Sequence, residues 1–148
     1  MSDYDWMSLF ERYKQVADKN MVVLEIGASN LCRTKDLNQH CQKLIGVEYL
    51  REPPMDFENV HYITGDWQHL SEFIDPESID IAVSSHVLEH IPDDLRAINE
   101  LYEVLKPGGM ALLNTQNRRR LVRVVIEFFR GKRKFPRWEH QREAQSSK

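Results

Sequence analysis

A chain of 148 residues with 41% hydrophobic and 29% charged side chains has the composition of one globular domain, with room for a real core and little for a second. No apolar run approaches the roughly 20 residues that span a bilayer, and the opening "MSDYDWMSLFERYK" lacks the basic start and apolar stretch of a secretory leader, so a cytoplasmic protein is expected. The net charge of −3 conceals a split: residues 1–117 hold 9 Lys and Arg against 20 Asp and Glu, whereas residues 118–148 hold 11 against 3. Such a split predicts that the basic tail meets an anion, either the body of its own fold or a partner. Cys32 and Cys41 suit reduced core thiols better than a disulfide framework or a zinc site.

In chain order, residues 4–18 place Trp6, Leu9, Phe10, Tyr13, Val16 and Ala17 at three- and four-residue spacings, which predicts a helix. "MVVLEIG" follows, an apolar run suited to a strand buried on both faces. A helix around Leu31 to Cys41 leads to a second such run, "KLIGVE", and "NVHYIT" predicts a third strand. A short helix is expected from about Trp67 to Phe73, then a fourth strand at "IDIAVS". Residues 93–105 repeat apolar positions at Leu95, Ile98, Leu101, Tyr102 and Leu105, an amphipathic helix stopped by Pro107, Gly108 and Gly109 before a fifth strand, "MALLNT". Alternating strand and helix predicts an α/β fold: an open, doubly wound, Rossmann-like parallel sheet with helices on both faces.

In such a sheet ligands bind past the carboxyl ends of the strands, where strand order reverses. "EIGASN" after the first strand lacks the G-x-G-x-x-G that lets a backbone approach a pyrophosphate; it carries one glycine and the strand carboxylate Glu25, which suits a cationic group. Glu48 ends the second strand 23 residues beyond Glu25, near the spacing at which an acid takes ribose hydroxyls. Asp66 and Trp67 after the third strand could accept from an adenine amino group and cover its ring. Each has a plainer structural use, Asp66 as the cap of the next helix, Glu48 as a helix-start carboxylate and Glu25 as a charged strand end. Taken together, a cation site, a ribose site and an adenine site in sequential order describe S-adenosylmethionine.

The motifs "VVLEIGASN", "LIGVEYL", "ITGDWQHL", "IDIAVSSHVLEHIPDD" and "ELYEVLKPGGMALLNTQN" resemble those of class I S-adenosylmethionine-dependent methyltransferases, particularly the type 11 group, over about residues 20–117. The resemblance implies a sheet ordered 3-2-1-4-5 and S-adenosylmethionine as cofactor. It further implies that Glu25 and Gly27 lie against the methionine part, Glu48 at the ribose, Asp66 and Trp67 at the adenine, and Ser84, Ser85 and His86 beside the sulfonium, with Ala28, Ser29, Tyr49 and Gly65 also at the cofactor. His86, directly after the fourth strand, is the general-base candidate; the alternative is that it only shapes the pocket.

The sequence departs from that family in two places. Ser29 and Leu31 replace two glycines of the first loop, and Asn30 is expected to make the left-handed turn instead. After the fifth strand too little sequence follows for the usual closing antiparallel hairpin, so the chain reads as cut short, with an exposed fifth-strand edge inviting a homodimer. Residues 118–148 read as a basic helical tail, with Leu121, Val124, Val125 and Phe128 on its apolar face. That helix either packs on the sheet, lies on an anionic membrane surface, or meets an acidic substrate such as nucleic acid or an anionic glycan precursor. The methyl acceptor is not identified, a small molecule or glycan precursor being slightly favoured. One rival reading is a degenerate cofactor-binding domain acting as a partner subunit. The other is a zinc hydrolase using the H-x-x-E-H spacing of His86, Glu89 and His90. Zinc would need a third ligand and both histidines on one helix, whereas Pro92, Asp93 and Asp94 suit the opening turn of the next helix, with Glu89 and His90 fixing the turn that aims His86.

Overall fold

A computed structural model describes residues 3–50, 57–117 and 122–129. In chain order the elements are α1 (Asp3–Val16), β1 (Val22–Ile26), α2 (Leu31–Asn38), β2 (Lys43–Glu48), β3 (Val60–Thr64), a 3-10 turn at Trp67–Glu72, β4 (Ile79–Ser85), a second at Leu88–His90, α3 (Asp94–Val104), β5 (Leu105–Asn117) and β6 (Val122–Phe129). They form one sheet ordered β3-β2-β1-β4-β5-β6, in which the first five strands run parallel and β6 runs antiparallel to β5.

The two-residue period of the strands sorts their side chains onto two cores. Leu24, Ile26, Ile45 and Val47 pack on one face with Trp67, Leu70, Ile98 and Leu101. Val23, Leu44, Ile81, Val83 and Leu112 pack on the other with Trp6, Leu9, Tyr13 and Leu37. Full burial of an aliphatic side chain stabilises by about 1.5–3 kcal/mol, so these two layers hold the central strands rigid. The Tyr13 hydroxyl donates to the Leu37 carbonyl at 2.8 Å and ties α1 to α2. At the amino ends of the strands, an Asp80 carboxylate oxygen accepts from Val22 N and Lys106 Nζ, both at 2.8 Å, and joins β1, β4 and β5. Gly108 stands at φ +81 within β5, between Leu105 and Met110, where the pairing with β4 shifts register, a backbone that only glycine adopts at little cost. Among the described residues no helix is long and apolar enough to cross a membrane.

Three expectations change. The tail is not helical over Val122–Phe129: it is a strand, registered against β5 from Asn117↔Val122 to Met110↔Phe129. "VRVVIEFF" satisfies helical and strand periods alike, and its β-branched and aromatic residues beside the open hydrogen-bonding edge of β5 decide for the strand. The closing element is thus partly present, β5 is an interior strand, and a homodimer through an exposed β5 edge loses its premise. Pro92 precedes α3 rather than opening it; Asp93 is the cap, its carboxylate accepting from Arg96 N at 3.0 Å, and Asp94 is the first helical residue. The remaining tail positions expected to be helical, 118–121 and 130–148, lie outside the described residues.

Candidate functional site

β1 lies between β2 and β4, so the connections leave it in opposite directions and the carboxyl ends of the strands open a crevice there. The crevice is a cavity of about 870 Å³. Gly27, Ser29 and Asn30 reach it from the loop after β1, Glu48, Tyr49 and Leu50 from the end of β2, Gly65 to Gln68 from the turn after β3, and Ser85 to Val87 from the end of β4. Ile26, Val47 and Ile91 supply apolar wall, and Arg33, His90 and Pro92 complete it.

Of the twelve positions expected at a cofactor, nine line the cavity; Glu25, Ala28 and Ser84 do not. Their strand positions explain this. Ser84 lies between Ile26 and Leu113 in the sheet and is only 2% exposed, and Ala28 is equally buried. Glu25 points under α2, where its carboxylate accepts from Thr34 Oγ1 at 2.7 Å. Burial pushes the Glu25 carboxyl up to about 8, against the opposing effects of the Thr34 hydrogen bond and the Arg33 charge, while Glu48 adds to the rise. Tyr62 lies across Gly46 from Glu25, and burial raises its phenol too, against the opposing effect of Thr34.

The loop after β1 turns at Gly27, not at Asn30. Gly27 has φ +83, and a Cβ there would stand 2.4 Å from Val87 Cγ2, so both backbone and space require glycine. Asn30 is extended at φ −103 and caps α2, its Oδ1 accepting from Cys32 N at 3.1 Å and Arg33 N at 3.3 Å. At the end of β2, Glu48 Oε1 accepts from Tyr49 N at 3.1 Å, and Tyr49 and Leu50 stand 62% and 81% exposed at the mouth. Asp66 does cap the turn at Trp67–Glu72, accepting from Gln68 N at 2.8 Å, and the Gln68 amide holds both its oxygens. Trp67 is a core residue at 2% exposure that also lines the cavity. Gln68 in turn accepts from Asp93 N at 3.1 Å, and its carbonyl from Arg96 Nε at 2.8 Å, so α3 holds this turn in place.

His86 has φ +58, a left-handed backbone rare for a non-glycine residue, and its N–H donates to the Asn114 carbonyl at 2.8 Å. Its Nδ1 lies 3.2 Å from Glu89 Oε1, and Glu89 Oε2 accepts from Thr115 Oγ1 at 2.7 Å. A carboxylate oxygen accepts, so the contact is made with Nδ1 donating, which leaves Nε2, itself buried, as the other ring nitrogen. Glu89 thus bridges the His86 ring and the Thr115 hydroxyl. His86 follows a strand while His90 ends the 3-10 turn at Leu88–His90, so the two are not on one α-helix as a zinc motif requires. Among the described residues no group of three or more His, Cys, Asp or Glu side chains is arranged to hold a metal ion.

Sequence reasoning missed Arg33, Gln68 and Leu50 at the cavity. Arg33 sits a turn into a helix, where only the three-dimensional turn of the loop reveals its direction, although Asn30 before an apolar residue was a readable cap signal.

An open sheet of five parallel strands and one antiparallel edge strand, with a cleft at the switch point, an acid at the end of β2 and a positive-φ residue after β4, defines a Rossmann-like α/β fold. The chain belongs to the family described as "Methyltransferase domain", whose model matches residues 24–113. A relative from Mycolicibacterium smegmatis, named "Probable S-adenosylmethionine-dependent methyltransferase", is 31% identical over 99 residues, covering 65% of this chain and 38% of its own length. The ubiquinone biosynthesis O-methyltransferase of Aliivibrio fischeri is 28% identical over 106 residues, 65% of this chain and 44% of its own length. Among solved structures, the YcgJ protein of Bacillus subtilis matches with a TM-score of 0.69 at 22% identity, over 78% of this chain and 51% of that one. The chain therefore spans less than half the length of these two relatives and about half of this structural neighbour.

Proposed function

We propose that the chain binds S-adenosylmethionine in the cavity over β1 and β4 and transfers its methyl group to a small-molecule acceptor through an oxygen or nitrogen that must lose a proton. The observation that carries this reading is the cavity itself: about 870 Å³, apolar at Ile26, Val47 and Ile91, with the Glu48 carboxylate on one side and His86 at the far end. That combination fits an adenosine with a charged amino-acid end. Glu48 would accept from the ribose hydroxyls, Tyr49 and Leu50 would cover the adenine, Asp66 would face its amino group, and Gly27 and Ser29 would run along the methionine part. Glu25 stands behind that loop, buried and uncharged near neutrality, and a nearby ammonium would favour its ionised form.

When bound, the cofactor supplies a methyl group already activated by its sulfonium. The protein then has to orient the acceptor and exclude water, effects worth up to about 7–11 kcal/mol. His86 Nε2 is buried in the structure, so His86 would take the acceptor's proton there only with the acceptor seated directly against that nitrogen, Glu89 holding the ring and Thr115 holding Glu89. The oxygen acceptor named for the Aliivibrio relative agrees with a need for such a base. The test is transfer of labelled methyl from S-adenosylmethionine to a panel of small phenols, alcohols and amines. Transfer to at least one, lost in His86→Ala, is expected; transfer that His86→Ala leaves untouched would remove the base role.

A further inference from the structure

The proposed transfer needs the acceptor seated against His86 Nε2, and the positions assigned to the cofactor do not supply that seat. Most polar side chains of the cavity are engaged with one another. Asn30 Oδ1 accepts from Cys32 N and Arg33 N, the Asp66 carboxylate holds the Gln68 amide, and Gln68 Oε1 accepts from Asp93 N. His86 Nδ1 meets Glu89, and Ser85 Oγ is buried.

The wall that continues from His86 differs. Val87, Ile91 and Pro92 line it with apolar surface, and His90 is its one hydrogen-bonding side chain. His90 is exposed, and among the described residues its ring has no hydrogen-bond partner. Its mounting is firm nonetheless. The His90 N–H donates to the Val87 carbonyl at 2.9 Å, Leu88 anchors the turn in the core at 5% exposure, and Ile91 N donates to the Leu88 carbonyl at 3.1 Å. Pro92 restricts Ile91 to an extended backbone, φ −80 and ψ 126, so the turn stops at His90. A neutral imidazole carries one donor and one acceptor, and a polar group placed on an apolar cavity wall fixes how a small molecule lies there. The H-x-x-E-H spacing therefore has a use other than zinc: Glu89 takes His86, and the His90 ring is left to meet a ligand.

We propose that His90 binds the acceptor and sets specificity for it: its ring bonds to a hydroxyl or carboxylate that the acceptor carries besides its reacting atom, while Ile91 and Pro92 take the apolar body. The acceptor is then a compact apolar molecule with a second oxygen function, of the kind a substituted phenol represents. The assignment rests on the cofactor reading above, and its experiment separates the two. The 148-residue chain, His90→Ala and His90→Gln are each saturated with S-adenosylhomocysteine and titrated, by NMR, with phenol and with phenols bearing a ring hydroxyl or carboxylate. Calorimetry gives the affinity of each protein for S-adenosylhomocysteine itself. The parent is expected to bind at least one substituted phenol about tenfold more tightly than phenol. His90→Ala should bring that compound within about twofold of phenol, with His90→Gln in between and S-adenosylhomocysteine within about twofold throughout. A parent that shows no preference, a preference that survives in His90→Ala, or an equal loss of S-adenosylhomocysteine would overturn it, the last showing that His90 acts only through the turn. A parent that does not bind S-adenosylhomocysteine overturns the cofactor reading and takes this assignment with it.

Discussion

Replacing Glu25 with glutamine tests the buried carboxyl at the centre of the sheet. The folded protein holds this group protonated up to about 8, whereas its ordinary value is 4.5, so between those limits the folded state binds a proton that the unfolded state has released. Stability from this group is therefore fully present below pH 4.5, falls as pH rises toward 8, and is level above it. At about 1.4 kcal/mol per pH unit, the loss between pH 5 and pH 9 is on the order of 4 kcal/mol. The substituted amide would keep an oxygen for the Thr34 hydroxyl and would not titrate. Urea unfolding of both proteins at the two pH values isolates the effect, because every other titrating group cancels in the difference. Glu25→Gln should be close to the parent at pH 5 and more stable by several kcal/mol at pH 9. Parallel pH profiles would refute the reasoning and mean that the Glu25 carboxylate is solvated or paired.

Two further substitutions probe the loop and the turn around the cavity. Gly27→Ala places a methyl 2.4 Å from Val87 Cγ2 at φ +83 and should cost about 2–4 kcal/mol; adding Val87→Ala should recover the steric part and leave the roughly 1–2 kcal/mol of the backbone, read from denaturation midpoints in a double-mutant cycle. Glu89→Gln should lower the rate of methyl transfer about ten- to a hundredfold with little change in cofactor affinity; an equal loss in affinity would make Glu89 a structural brace only.

Much of this was readable from the chain because its signals were local and redundant. "KLIGVE" predicts β2 to the residue, since an apolar run bounded by polar residues leaves no other period to follow. The loops after β1, β2, β3 and β4 were found by the same reasoning, because a parallel sheet fixes which end of each strand faces the crevice. Side-chain direction within a strand was harder to read. Glu25 and Ser84 sit one step before the crevice, and the two-residue period turns them toward opposite cores, Glu25 under α2 and Ser84 toward the α3 face. Asp66 met its plainer reading as a cap, and it also lines the cavity, so the cap does not remove it from the crevice. β6 was misread because its apolar residues fit two periods, and the deciding factor, the unsatisfied edge of β5, is a property of the assembled sheet. Arg33 was invisible for a related reason: its aim depends on Trp6, 27 residues away in sequence.

A crystal structure of this chain with S-adenosylhomocysteine tests the cofactor reading most directly. The ligand is expected in the cavity over β1 and β4, its ribose hydroxyls within hydrogen-bond reach of Glu48, its adenine beside Asp66 and Leu50, and its sulfur toward His86. A ligand bound elsewhere, or a cavity left empty at saturating concentration, would contradict it.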